Sequence, residues 1–284
     1  MYLFGSIITL ITGLFYSLRY SLVKDLRDFK ISKLQINFYY RLFSLPVLVV
    51  LAFILRNQLF SILPDFLLWL IIATVVNVFW GLYQVYIYQK SSFSSTESLQ
   101  FLNIVFSTLA GVIIFGEIIS FSKIAGISLT VIAFLILLFK DIKDKKQNFL
   151  KFQIVIYYLL TTLVDIVNKK AISLSSPIIY SISATVLLAL AYLIFAKAKG
   201  QKIDRLDNGK MRNLLLLSGF LSGITVLGIS YAYKLLPLGV AITLLSSRVF
   251  FSMWLSKAKY KEANILPNII ASIIALIGIG VMFI

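Results

Sequence analysis

The chain has 284 residues, of which 60% are apolar and only 13% charged. Soluble domains carry about a quarter charged residues, so the composition excludes a water-soluble globular protein. There is no cysteine and no histidine, which removes disulfides, thiol nucleophiles and the usual zinc and haem ligand sets. The formal net charge of +16 is gathered into 24–33, 140–151, 197–212 and 257–261, as in a membrane protein marking its cytoplasmic side. No adjoining domain accompanies these stretches to read a nucleic-acid groove, and no nucleic-acid partner is expected.

A membrane-spanning helix needs about 20 mostly apolar residues. Ten stretches meet that requirement: 3–23, 33–55, 66–89, 94–115, 121–139, 151–171, 176–196, 212–234, 237–256 and 263–283. No cleavable signal is expected, because Met1 runs straight into the first of them without a charged leader or a small-residue cleavage site.

A charge or amide deep in a span is costly unless it faces protein or water, so such residues nominate a site. On the first span Thr12, Tyr16, Arg19 and Tyr20 share a face, and Arg19 either serves a site or snorkels to the surface with Lys24. In the second, Pro46 predicts a kink, and Arg41 reads as a snorkelling anchor or the partner of an acid. The third offers Asn77, Trp80, Gln84 and Tyr88 at helical spacing, flanked by Gly81 and Tyr83. These suit an amide and aromatic cavity wall, with Tyr88 the expected member of an interfacial belt. Ser94-Ser95-Thr96-Glu97 has the form of a capping box opening the fourth span, while Gln100, Phe101 and Ile104 carry the Glu97 face inward towards a cavity mouth.

On the sixth span Thr161, Asp165 and Asn168 fall on one face at i, i+4 and i+7. Asp165 either works in a cavity, where it could bind a proton or cation, or pairs with Lys169 one turn on. The eighth span carries Gly219 and Gly223 in a G-x-x-x-G pattern, read as helix packing first. Arg248 lies near the middle of the ninth, too deep to snorkel. It is the leading candidate to hold an anionic substrate group or to join a gating ion pair.

The second five spans repeat the first five at an offset of 145: Lys24 with Lys169, Tyr86 with Tyr231, Tyr88 with Tyr233, Leu99 with Leu244, Phe106 with Phe251, Ser107 with Ser252, and Glu117 with Glu262. Two five-helix units are expected, 1–145 and 146–284. Five is odd, so the second enters the membrane inverted, the layout of secondary transporters with a midplane site between halves. The fold class is therefore an all-α polytopic membrane protein of ten transmembrane helices in two inverted repeats.

Residues 86–117 run Tyr-Ile-Tyr-Gln-Lys-Ser-Ser-Phe-Ser-Ser-Thr-Glu-Ser-Leu to a long apolar helix ending in Phe-Gly-Glu. This corner resembles the third and fourth helices of the drug/metabolite transporter superfamily, and its EamA-type members in particular. Gly116-Glu117 fits the family's Gly-Glu ending, whereas the second half has Lys261-Glu262. The resemblance implies a cavity between the first, third, fourth, sixth, eighth and ninth helices, which leaves Arg41 outside it. It also implies both termini inside, against the charge bias, which places them outside.

The expected function is a secondary transporter, exporter or exchanger, of a small polar or amphipathic metabolite, with amino acids and related compounds favoured by the resemblance. Alternating access would proceed around a cavity formed by Arg248, Trp80, Gln84, Tyr83, Asn77, Asp165, Asn168, Glu97, Tyr16 and Arg19. Asp165 and Glu97 are the candidates for proton coupling; a facilitator or exchanger needs neither. The alternatives are an organic-cation efflux transporter and a non-transporting membrane scaffold. No enzymatic activity, metal or cofactor is expected. The partners expected are the small-molecule substrate and the bilayer of the cell (inner) membrane, and a monomer could suffice.

Overall fold

A computed structural model describes residues 2–29, 31–55, 63–91, 96–97, 99–117, 120–122, 124–126, 128–129, 132–133, 145–201, 203, 206–260 and 266–281. Its helices are α1 (Tyr2–Asp25), α2 (Lys33–Ile54), α3 (Phe66–Lys90), α4 (Phe101–Phe115) and α5 (Lys145–Ser173). They are followed by α6 (Pro177–Ala198), α7 (Gly209–Leu235), α8 (Leu238–Leu245), α9 (Arg248–Tyr260) and α10 (Leu266–Val281). Among the described residues six helices are long and apolar enough to cross a membrane: α1 with the short turn after it, α2, α3, most of α5, α6 and α7. The ten spans expected from the sequence are therefore not all seen as such, and most of 121–139 lies outside the described residues.

Local chemistry sets the helix ends. Ser32 and Gln35 form a reciprocal capping box at α2. Ser176 caps α6 with Pro177 in the first turn, where its missing N–H costs nothing, and Asn208 caps α7. Gly116 closes α4 at φ 67°, a left-handed conformation that a side chain disfavours. The helix α2 continues through Pro46 to Ile54. The polar junction read at 140–150 is partly helical, since α5 begins at Lys145.

The faces of α3 show how the chain is solvated. Leu67, Ile71, Val75 and Phe79, spaced by four, are each at least half exposed, while Leu70, Ala73, Asn77, Trp80, Gly81 and Gln84 are buried. Apolar side chains point outward and amides inward, the polarity expected of a helix in lipid.

The helices α1 and α2 both lie along α7; α2 also packs on α6, α3 on α5 and α6, and α4 on α5 and α8. The α2–α7 contact is close because Gly219 and Gly223 bring the backbones together. A Cβ on Gly219 would stand 2.4 Å from the Phe43 Cβ, and one on Gly223 2.9 Å from the Val47 Cβ. This is the packing role expected of G-x-x-x-G.

Two expected spans are interrupted rather than continuous. The ninth is divided at Ser246 and Ser247 into α8 and α9. Ser246 Oγ donates to its own turn at Ile242 O (2.8 Å) and accepts from Gln100 Nε2 (3.1 Å). On the fourth, Leu99 and Gln100 form a turn before α4 begins. Apolarity and length gave no sign of either break, where the backbone bonds tighten to a three-residue spacing, as from Ser247 N to Leu244 O and from Leu102 N to Leu99 O.

Candidate functional site

An interior cavity of about 80 Å³ lies among α1 to α8, the turn before α4 and the start of α9. At roughly 10–15 Å³ per water, that is room for several waters or a small polar molecule. Three arginines (Arg19, Arg41 and Arg248) and one aspartate, Asp165, line it.

The sequence face on α5 builds one wall, and each of its residues is fixed by a partner. Thr161 Oγ1 accepts from Trp80 Nε1 (2.8 Å). Asn168 Oδ1 accepts from Asn77 Nδ2 (2.8 Å) and from the Tyr180 hydroxyl (2.7 Å). Asp165 accepts from the Tyr233 hydroxyl on Oδ1 (2.5 Å) and from Asn103 Nδ2 on Oδ2 (2.8 Å). Lys169 does not pair with Asp165, the alternative raised by their spacing. It instead meets Glu117 (3.2 Å) and the carbonyl of Leu236 (3.2 Å). Glu117 Oε1 also accepts from Leu238 N (2.6 Å), capping α8 across the repeat boundary.

The arginines differ in how well they are satisfied. Arg248 Nε is hydrogen-bonded to Gln100 Oε1 and stands 3.2 Å from Glu97 Oε2, with Tyr16 under its guanidinium at 4.4 Å. Glu97 is completely buried and also accepts from the Tyr88 hydroxyl, so Tyr88 is a core residue and not an interfacial one. Arg19 donates to Gln84 Oε1 (3.1 Å) and lies near the rings of Tyr16, Tyr20 and Tyr40, but has no acidic partner among the described residues. It is 2% exposed and does not snorkel. Arg41 is 5% exposed, lies over the Tyr40 ring (5.0 Å), and its Nε has no hydrogen-bond partner among the described residues.

Seven of the ten residues nominated from the sequence line the cavity: Tyr16, Arg19, Asn77, Trp80, Asp165, Asn168 and Arg248. Gln84 lies behind it, binding Arg19, the Tyr20 hydroxyl (2.5 Å) and the Tyr157 hydroxyl (3.1 Å). Glu97 stands behind Arg248, and Ser94 and Ser95 of its expected capping box lie outside the described residues. Tyr83 is elsewhere: it stacks on Tyr86 and donates to Gln153 O (3.2 Å). One residue from Gln84 is a rotation of about 100° on a helix, enough to take Tyr83 off the cavity stripe. Towards the end bearing the basic loops, Tyr20, Tyr88, Tyr157 and Tyr158 fill the interior, each at most 1% exposed.

The residues that sequence reasoning left out are Arg41, Asn103, Tyr180 and Tyr233. Arg41 had the signal of a charge eight residues into an apolar span, but the family description put its helix away from the cavity. Tyr180 and Tyr233 carry no such signal, since tyrosines near span ends read as interfacial.

Apolar faces turned outward and charged groups converging on an interior cavity define a helical membrane protein with a polar internal site. Residues 3–139 match the model of the EamA-like transporter family. That stretch is similar to the family, which is part of the drug/metabolite transporter superfamily. A crystal structure described only as "Crystal structure of protein" aligns with TM-score 0.75 over 99% of this chain and 98% of its own, at 10% identity. At that identity the likeness speaks of fold alone. No curated protein matches the chain.

Proposed function

We propose that the chain is a secondary transporter of a small metabolite carrying an anionic group, with zwitterionic amino acids and their relatives foremost, working by alternating access in the cell membrane. The observation that carries this reading is Arg41, a buried guanidinium on the cavity wall with an unpartnered Nε and no ion-pair partner among the described residues. A buried charge without a counter-charge is expensive, and a carboxylate or phosphate in the cavity would complete it. Arg19 lies on the same cavity, also without an acid. Asp165 lines the cavity and accepts from the neutral donors Tyr233 and Asn103, which favours a ligand that also bears an ammonium. Arg248 is compensated by Glu97, so its role in this reading is to hold the interruption in place rather than to bind substrate.

Alternating access rests on two inverted halves, 1–145 and 146–284. The packing supports this: α1 lies on α7, and the corresponding exchange of halves pairs α5 with α3. The cavity takes side chains from both halves.

The test is thermal unfolding of the detergent-purified protein against amino acids, nucleotide sugars, phosphorylated metabolites and quaternary amines, wild type beside Arg41→Gln. A ligand of the folded state raises the melting temperature by mass action. A zwitterionic or anionic stabiliser lost in Arg41→Gln is expected, followed by counterflow of that compound in proteoliposomes. A quaternary amine stabilising both proteins equally would overturn the reading.

A further inference from the structure

A second recess lies at the surface, away from the cavity. It has a volume of about 760 Å³ and is formed where the start of α2, the end of α3, the start of α5 and the end of α6 meet. Its apolar lining comes from Leu34, Leu82 and the outward-facing Phe79, beside Tyr83 and Tyr86. Its rim is cationic and amide-rich, with Lys33, Lys199 and Gln89.

The position of this rim along the helices is informative. Lys33 opens α2, Gln89 precedes the last residue of α3, and Lys199 follows the last residue of α6. All three stand at the ends of helices long enough to span, on the end that carries the basic loops. Lys33 lies over the Tyr86 ring at 4.4 Å and Lys199 over Phe195 at 4.8 Å. Neither meets an acid among the described residues. Two ammonium groups and an amide donor thus border a partly apolar recess at the end of the spanning helices, where phospholipid headgroups would lie. Neutral lipid or detergent would fill the recess and leave the lysines without a counter-charge.

We infer that this recess is a binding site for an anionic phospholipid, its phosphate held by Lys33 and Lys199 and one acyl chain lying along Phe79 and Leu82. Juxtamembrane lysines contribute about 1 kcal/mol each towards anionic lipid. Two of them correspond to a roughly 10- to 30-fold preference for an anionic over a zwitterionic headgroup. The site is independent of the transport reading: the lipid would bind whether or not the cavity takes an amino acid.

The experiment compares dioctanoyl phosphatidylglycerol with dioctanoyl phosphatidylcholine, titrated into the detergent-purified full chain and read by melting temperature and by native mass spectrometry. The wild type should bind the glycerol lipid at least tenfold more tightly, and the Lys33→Gln/Lys199→Gln double variant should bind both lipids alike. Lys210→Gln, an exposed change at the same end but outside the recess, controls for bulk charge and should keep the preference. Equal binding of the two lipids by wild type overturns the site. So does a preference that survives the double variant, or one that Lys210→Gln removes to the same extent.

Discussion

Asn103 and Arg248 stand 145 residues apart, and each holds a buried carboxylate that a tyrosine also holds. Asn103 binds Asp165 together with Tyr233, and Arg248 faces Glu97 together with Tyr88. The tyrosines are themselves 145 apart. The arrangement recurs, but the partner does not: an arginine faces Glu97, whereas an amide faces Asp165. One clamp is an ion pair, and the other holds its carboxyl with neutral donors alone.

Arg248→Gln should therefore destabilise the fold more than Arg41→Gln does. Removing one member of a buried pair costs about 3–5 kcal/mol, because the orphaned charge stays behind. The double variant Arg248→Gln/Glu97→Gln should recover most of that loss, while Arg41→Gln should leave the melting temperature near wild type and abolish only the ligand-induced shift. Detergent thermal unfolding of the four proteins decides it. Equal destabilisation by Arg41→Gln would mean that Arg41 has a structural partner.

Asp165→Asn preserves the shape of the residue and removes its charge. A ligand recognised through its ammonium should lose at least about tenfold in affinity, on the scale of a charged hydrogen bond. The deaminated carboxylate analogue should bind the variant no worse than it binds wild type. Unchanged discrimination between the two ligands in Asp165→Asn would remove Asp165 from recognition.

Glu117→Ala should cost about 1–2 kcal/mol, the magnitude of a lost helix cap, since its carboxylate holds both the first N–H of α8 and Lys169. Glu117→Gln, which can still accept from Leu238 N, should lose only the Lys169 contact and fall between wild type and Ala. An Ala variant as stable as wild type would show that the corner is held by other contacts.

Gly219→Ala pushes a methyl into the Phe43 Cβ and should destabilise by about 1–3 kcal/mol, as overpacking does. Gly209→Ala, with nothing within 4 Å of the added carbon, should be neutral or slightly stabilising in the first turn of α7. The ratio of folded to aggregated protein after detergent extraction and a thermal scan gives both values.

Much of the cavity was legible because lipid makes polar residues conspicuous. Thr161, Asp165 and Asn168 declared a face by spacing alone, and Asn77 with Trp80 declared the wall opposite. Partners were not legible. Glu97 read as a cap because a Ser-Ser-Thr-Glu run is a local pattern, whereas its contact with Arg248 spans 151 residues of sequence. Arg41 was set aside on family description, although its depth in the span was the better guide. The interruptions at Leu99–Gln100 and Ser246–Ser247 were invisible for another reason: a hydropathy profile registers apolar length and takes no account of hydrogen-bond direction.

The glycines of α7 have a mechanical consequence. Because Gly219 and Gly223 present bare backbone to Phe43, Val47 and the carbonyls of Tyr40 and Ser44 on α2, α7 contributes no side chain there to compress or slide. Helices from opposite ends of the chain are thus joined along a stiff line beside the cavity. In the alternating access proposed above, a shape change that exposes the cavity to one side of the bilayer and then the other would turn about that line, with the α2–α7 seam as its fulcrum.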